Sequence, residues 1–320
     1  MILVVSAASR GKLAHSFSSL TSSLTTRTVA LLLLLPFSIA LAAQVSSSDQ
    51  QLEALIASKQ LQSAEKIIVA RLMNEPQNPD LVTFLAEVRL DQGRPAEALQ
   101  LATEAEQLAG PTALRAQIAG LADSALGHLG PAETQFRRAI QLDPKFVPAH
   151  YYLARLLYTR NRFDEAIQES QTTISLSPGF VRAYENLGLC YEGKDNSKEA
   201  ERWYREAVRL NDESQSKTEW PLLDLATLLI RNNRIAEAKP FLQGALVINP
   251  GNAQAYFQMG ILLEKSGDGE GALDQFRQAI KRDPTLSSAY YRAARLCQKL
   301  GHQDEARRYF DEYKRLPQKN

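Results

Sequence analysis

The residues in this chain best suited to nucleophilic or metal chemistry are four histidines and two cysteines, and their spacing supports neither use. His15, His128, His150 and His302 lie far apart, and no H-E-x-x-H pair sets two zinc ligands and a base on one helix face. His15 falls in an N-terminal leader, His128 and His302 fall beside turns, and His150 takes a bulky packing position. Two cysteines, Cys190 and Cys297, can build neither a disulfide framework nor a multi-cysteine zinc site. No G-x-x-x-x-G-K-[ST] phosphate loop occurs. The glycine-rich run Gly267-Asp268-Gly269-Glu270-Gly271 follows no strand pattern and reads as a turn. The chain is therefore read as a non-enzyme, with no catalytic residue, no cofactor and no metal.

Charge narrows the partners. Lys and Arg total 37 against 36 Asp and Glu, a formal net charge of +1, whereas a dedicated nucleic-acid binder carries a basic excess. The hydrophobic share of 44% is ordinary for a globular chain.

Residues 1–48 differ from the rest: they hold no Asp or Glu, and Asp49 is the first acid. Arg10, Lys12 and Arg27 precede an apolar run from Val29 to Leu35, broken by Pro36 and resuming at Ile39. The run falls short of the roughly 20 apolar residues of a spanning helix. Ala40 and Ala42 form an A-x-A site, so residues 1–42 read as a signal peptide cleaved after Ala42. An uncleaved membrane anchor and an organellar transit peptide are the alternatives. The expected location is outside the cytosol, periplasmic or secreted, with membrane contact only through this segment if it stays attached.

The elements that would position any site come from repetition. Ala98, Ala132, Ala166 and Ala200 lie 34 residues apart, and after a four-residue offset Ala238, Ala272 and Ala306 continue the series. Gly93, Gly127, Gly267 and Gly301 each precede their alanine by five residues, and Pro144, Pro178, Pro250 and Pro284 each follow theirs by twelve. Within one period, Leu153, Ala154 and Leu157 share one helical face, and Ala166, Ile167 and Ile174 share another. The pattern predicts two helices per period, a turn at the glycine, small residues where the helices cross, and a stop at the proline. Pro95, Pro131, Pro148, Pro221 and Pro240 are expected in first turns, where a missing N–H costs little.

These residues resemble the tetratricopeptide repeat family. The repeat 181–214 carries Tyr184, Leu187-Gly188, Tyr191, Ala200, Tyr204 and Ala207; the repeat 253–286 carries Tyr256, Met259-Gly260, Leu263, Ala272, Phe276, Ala279 and Pro284. Repeats start near 45, 79, 113, 147, 181, 219, 253 and 287, so any site in residues 45–320 would sit on the repeats themselves. The first and last depart from the pattern as capping units do, with Lys59 at the turn of the first and Tyr313 at the third small position of the last. The resemblance implies an all-α, right-handed α-solenoid of about eight helix-turn-helix repeats. With the cysteines three repeats apart, a disulfide is not expected.

The resemblance also implies that a protein or peptide partner binds on the concave face of the first helices. By repeat position that face carries Tyr151, Arg155 and Tyr158, then Arg182 and Glu185, then Trp220, Phe257, Tyr291 and Arg295. Tyr, Trp and Arg are enriched at binding hot spots. The family's clamp for acidic peptide tails uses Lys and Asn; here Tyr151 and Arg155 stand at those positions, and Asn186 alone is similar to it. The expected function is a non-enzymatic scaffold or adaptor. The alternatives are an accessory subunit of an envelope assembly or secretion complex, and a glycan-binding module or enzyme built on the solenoid. No nucleic acid is expected.

Overall fold

The structure, a computed structural model, describes residues 49–317. The leader lies outside the described residues. The described residues form sixteen α-helices and no strand: a helix over 49–57 (α1), then α2 (Leu61–Leu72), α3 (Pro79–Asp91), α4 (Pro95–Ala109), α5 (Ala113–Ala125), α6 (Leu129–Leu142), α7 (Val147–Thr159), α8 (Phe163–Leu176), α9 (Val181–Gly193), α10 (Ser197–Glu213), α11 (Trp220–Arg231), α12 (Ile235–Ile248), α13 (Ala253–Lys265), α14 (Gly269–Arg282), α15 (Ser287–Leu300) and α16 (Gln303–Arg315). From α3 onward each odd-numbered helix packs on the even-numbered helix after it, the arrangement of an α-solenoid. The chain divides into two compact units at Gly110. The first buries Leu52, Ile56, Ile68, Leu81, Leu85 and Val88. The second runs its core along six helix pairs, with Leu153, Leu157, Leu187, Leu225, Leu228 and Phe276 all enclosed.

Backbone chemistry sets the turn in every pair. The residue that reverses the chain has positive φ in all eight: Gly93, Gly127, Gly267 and Gly301, and in the same register Lys59, Asn161, Asp195 and Asn233. Glycine adopts this region without strain; asparagine and aspartate tolerate it through short side chains, and lysine carries a cost. Gly267 belongs to the glycine-rich run, which is this turn; Asp268 after it caps α14 by accepting from the Gly271 N–H.

Close crossing explains the Leu-Gly pair. A Cβ at Gly120 or Gly260 would stand 2.7 Å from Phe136 and 2.5 Å from Phe276, each an enclosed ring on the partner helix. Gly188 meets Tyr204 in the same way. Four of the five prolines expected in first turns sit there: Pro95, Pro131, Pro148 and Pro221. Pro240 does not: it lies inside α12 and removes the hydrogen bond to the Ala236 carbonyl. Both residues are exposed, so water can serve the carbonyl that an interior proline would orphan at about 3 kcal/mol.

The four-residue offset has a local cause. Asp212 stands where other repeats have proline, so α10 runs to 17 residues. The Asn211 side chain then pins the longer connection, donating to the Thr218 carbonyl and accepting from its N–H.

Ion pairs staple alternate seams. Glu65, Glu133 and Glu201 lie 68 residues apart. Glu65 pairs with Arg89, Glu133 with Arg160 and Arg162, and Glu201 with Arg234, each across to the next helix pair. Arg277–Glu305 fills the equivalent seam before α15 and α16. Between them, the α8–α9 seam holds one exposed Lys194–Asp164 pair, and the α12–α13 seam holds Glu219 accepting from Asn249 and Asn252.

Candidate functional site

Two cavities open along the first helices of the second unit. The larger, about 480 Å³, lies between α7, α9 and α11 and is lined by Tyr151, Arg155, Arg182, Glu185, Asn186, Leu189, Trp220 and Asp224. A second, about 350 Å³, lies between α13 and α15 and is lined by Phe257, Glu264, Ser288, Tyr291, Arg292 and Arg295. Eight of the nine residues expected at a partner site line one or the other. Tyr158 lines neither; its ring packs on Phe163, and burial raises its hydroxyl pKa.

Those residues do not all face solvent. Trp220 is 50% exposed and Tyr291 40%, and Arg155, Arg182 and Arg295 are exposed. Tyr151, at 4%, and Phe257, at 8%, are buried. Tyr151, expected on the concave face where a partner binds, is therefore corrected to a largely enclosed packing residue. Its ring meets Tyr152 at 5.1 Å and Phe180, on the loop entering α9, at 5.0 Å, although the residue also lines the cavity. Phe257 packs on Phe276. Both stand at repeat position five, as do Thr83 and the enclosed Leu223, so this position belongs as much to the packing between helices as to the groove.

Of repeat position six the sequence pattern singles out only Asn186, although the position also supplies Asp224 and Arg292 to the cavities. The signal was available: positions two, five, six and nine are the i, i+3, i+4, i+7 stripe of a single helix face. Asn186, the residue similar to the acidic-tail clamp, is buried and donates to the Ser170 hydroxyl. Its amide is committed inside the protein.

The larger cavity has an unusual floor. Burial, opposed only weakly by Arg182 and Arg155, pushes the Glu185 carboxyl up to about 7. Burial together with Glu185 and Glu192 pushes Asp224 up to about 7. Glu192 is also raised by burial, though Arg231 pairs with it at 3.1 Å. Glu185 Oε1 is buried and accepts no hydrogen bond. Also in the lining, Arg155 donates to the Tyr151 hydroxyl at 3.4 Å.

The remaining reactive residues are absorbed by the fold. His150 is buried, with Nδ1 2.7 Å from Glu169 and Nε2 3.0 Å from the Pro144 carbonyl. Cys190 and Cys297 are free, buried thiols, pushed up by burial to about 12 and about 11. Among the described residues one group of ligating types converges: Cys297, His302 and Glu305 lie within 4.8 Å of one another. Glu305 is already held by Arg277 at 2.8 Å and by the Tyr309 hydroxyl at 3.0 Å, and a thiol with so high a pKa is a poor ligand. No described helix is long and apolar enough to cross a membrane.

Sequence profiles described as tetratricopeptide repeat match residues 80–104, 119–179, 181–214, 223–286 and 257–320. The chain is 24% identical over 278 residues to an Arabidopsis thaliana protein named CTR9 homolog, covering 74% of this chain and 25% of that one. It is 24% identical over 186 residues to anaphase-promoting complex subunit 3 of Schizosaccharomyces pombe, covering 57% and 27%. The chain thus spans about a quarter of the length of these curated relatives. Among solved structures, a tetratricopeptide repeat protein from Parabacteroides merdae superposes with a TM-score of 0.60 at 18% identity, covering 79% of this chain and 98% of that one, a likeness of fold.

Proposed function

The chain belongs to the tetratricopeptide repeat family, whose members generally mediate protein–protein interaction, and we propose that its first helices from α7 to α15 hold a segment of a protein partner. The observation that carries this reading is Trp220: a large apolar side chain left half exposed at the edge of a cavity is what an interface anchor looks like before its partner arrives. Tyr291 and Arg295 repeat the arrangement at the second cavity, with the guanidinium 5.8 Å from the ring. The protein is read as a non-enzymatic scaffold or adaptor.

A photo-crosslinking residue at position 220 or 291 tests this in native extract, with the same residue at the exposed position 168 of α8 as control. One discrete product from 220 and 291, absent from 168, is expected. Equal labelling from all positions would count against the groove.

A second reading, an accessory subunit of a larger assembly, draws support from a relative whose name describes a complex subunit. Stable co-purification with several partners at once would favour it. Export remains part of the proposal, on the composition of residues 1–48 alone. Mass spectrometry of the native protein tests it, with a mature start near Ala43 expected and an intact Met1 on membrane-extracted protein favouring the anchor.

A further inference from the structure

We infer that the cavity between α7, α9 and α11 takes a basic side chain, lysine or arginine, from the segment bound in the groove. This rests on reading the groove as the binding surface and adds to it the chemistry of the occupant.

Arg155 and Arg182 line the cavity, yet neither pairs with its two carboxyls. Glu185 and Asp224 both line it, and among the described residues neither makes an ion pair or a hydrogen bond. Glu185 Oε1 is shut away from solvent with no donor. A buried acceptor without a partner bears its full desolvation penalty, so folded proteins rarely keep one unless something else fills it. The cations nearby are otherwise placed. Arg231 is taken by Glu192. Arg155 and Arg182 are exposed and act on Glu185 only through space. Asp224 faces Glu185 and Glu192, both of its own sign.

An incoming ammonium or guanidinium would supply the missing donors and end the repulsion between the two carboxylates. The remaining lining suits the rest of such a side chain. Leu189 and the exposed ring of Trp220 can cover its methylene stem, and the indole face attracts a cation. An apolar or acidic side chain brings no donor for Glu185 Oε1, and an acidic one would find its partners in Arg155 and Arg182 while facing Glu185 and Asp224. The free carboxyls, raised by burial, also make recognition pH-dependent, because a cation binds the ionised form.

The test uses the full chain with Trp203→Phe, so that Trp220 alone reports by fluorescence. The probes are capped heptapeptides of glycine and serine with one central Lys, Arg, Leu or Glu. The Lys and Arg peptides should bind about tenfold tighter than the Leu peptide, the scale of a close charge pair in a desolvated site, with the Glu peptide weakest. That preference should shrink as pH falls through about 7. The double variant Glu185→Gln, Asp224→Asn should abolish it while melting no lower than its parent, which separates lost recognition from lost folding. Equal or tighter binding of the Leu or Glu peptide overturns the basic occupant and leaves the groove as a binding surface. No response to any peptide also overturns it, and the crosslinking at position 220 then decides separately whether the groove binds.

Discussion

The ring of Tyr204 occupies the space where a Cβ on residue 188 would stand. Tyr204 is enclosed on α10, Gly188 sits at the middle of α9, and the pair sets how closely the two helices cross. Gly188→Ala should therefore destabilise, although alanine is the better helix former by about 1 kcal/mol. Overpacking against a ring that cannot move costs about 1–3 kcal/mol and outweighs that gain. Gly130→Ala, in the first turn of α6 with nothing within 4 Å, is the control and should be neutral or stabilising. Chemical denaturation of both variants checks the contrast.

Three neighbours on α7 should separate by role. Leu153→Ala removes an enclosed core side chain and should cost about 2–5 kcal/mol of stability. Tyr151→Ala should also lower the melting temperature, because its ring packs on Tyr152 and Phe180. Arg155→Ala should leave melting nearly unchanged and weaken partner binding, since its guanidinium is exposed at the cavity. Thermal melts of the three, set against affinity for the crosslinked partner, test the assignment.

Glu185 and Asp224 predict an alkaline weakness. Their carboxyls stand near 7 in the folded chain and near about 4 when unfolded. The folded state holds more protons across that interval, so stability falls as pH rises through it. Glu185→Gln and Asp224→Asn should each raise the melting temperature above neutrality and change it little in mild acid. Because the two acids raise each other's cost, the double variant should gain less than the sum of the singles.

His150 predicts a second slope with its own signature. Both ring nitrogens face acceptors, a carboxylate and a carbonyl, so only the imidazolium satisfies both. Its pKa is raised, first by the hydrogen bond to Glu169 and next by that to the Pro144 carbonyl, against burial. The stabilisation is complete below the unfolded value of about 6.5 and is lost as pH rises through the higher folded value. His150→Gln should melt lower than the parent in mild acid, with the gap closing toward alkaline pH. A gap that widens with pH would sink this account.

The staple at Glu133 predicts acid sensitivity. Three arginines, Arg137, Arg160 and Arg162, reach this carboxylate, and hydrogen bonds from Arg162 and Arg137 hold its pKa below the usual range despite burial. Its contribution is present above the ordinary glutamate value and is lost as pH falls toward the folded one. Glu133→Gln should cost about 1 kcal/mol at neutral pH, the scale of a partly exposed ion pair, and less in acid. Hydrogen exchange should quicken first in α6 and α7.

The fold class was legible because a repeat writes each structural requirement several times over. Glycine at a positive-φ turn, glycine or alanine where two helices cross, and proline after the second helix recur in phase, so chance matches are outvoted. Lys59 at the same turn shows the register holding where the preferred residue is missing. Which residues reach the groove was legible only as a stripe. Helical spacing put Trp220, Tyr291, Arg155 and Arg295 on one face, and they line the cavities. Spacing within one helix carries no information about the helix stacked beside it, and that neighbour is what buries Tyr151 and Phe257 and brings Asp224 to Glu185. Charge and burial at such a site depend on distances between α7, α9 and α11, more than thirty residues apart in sequence, and only tertiary packing decides them.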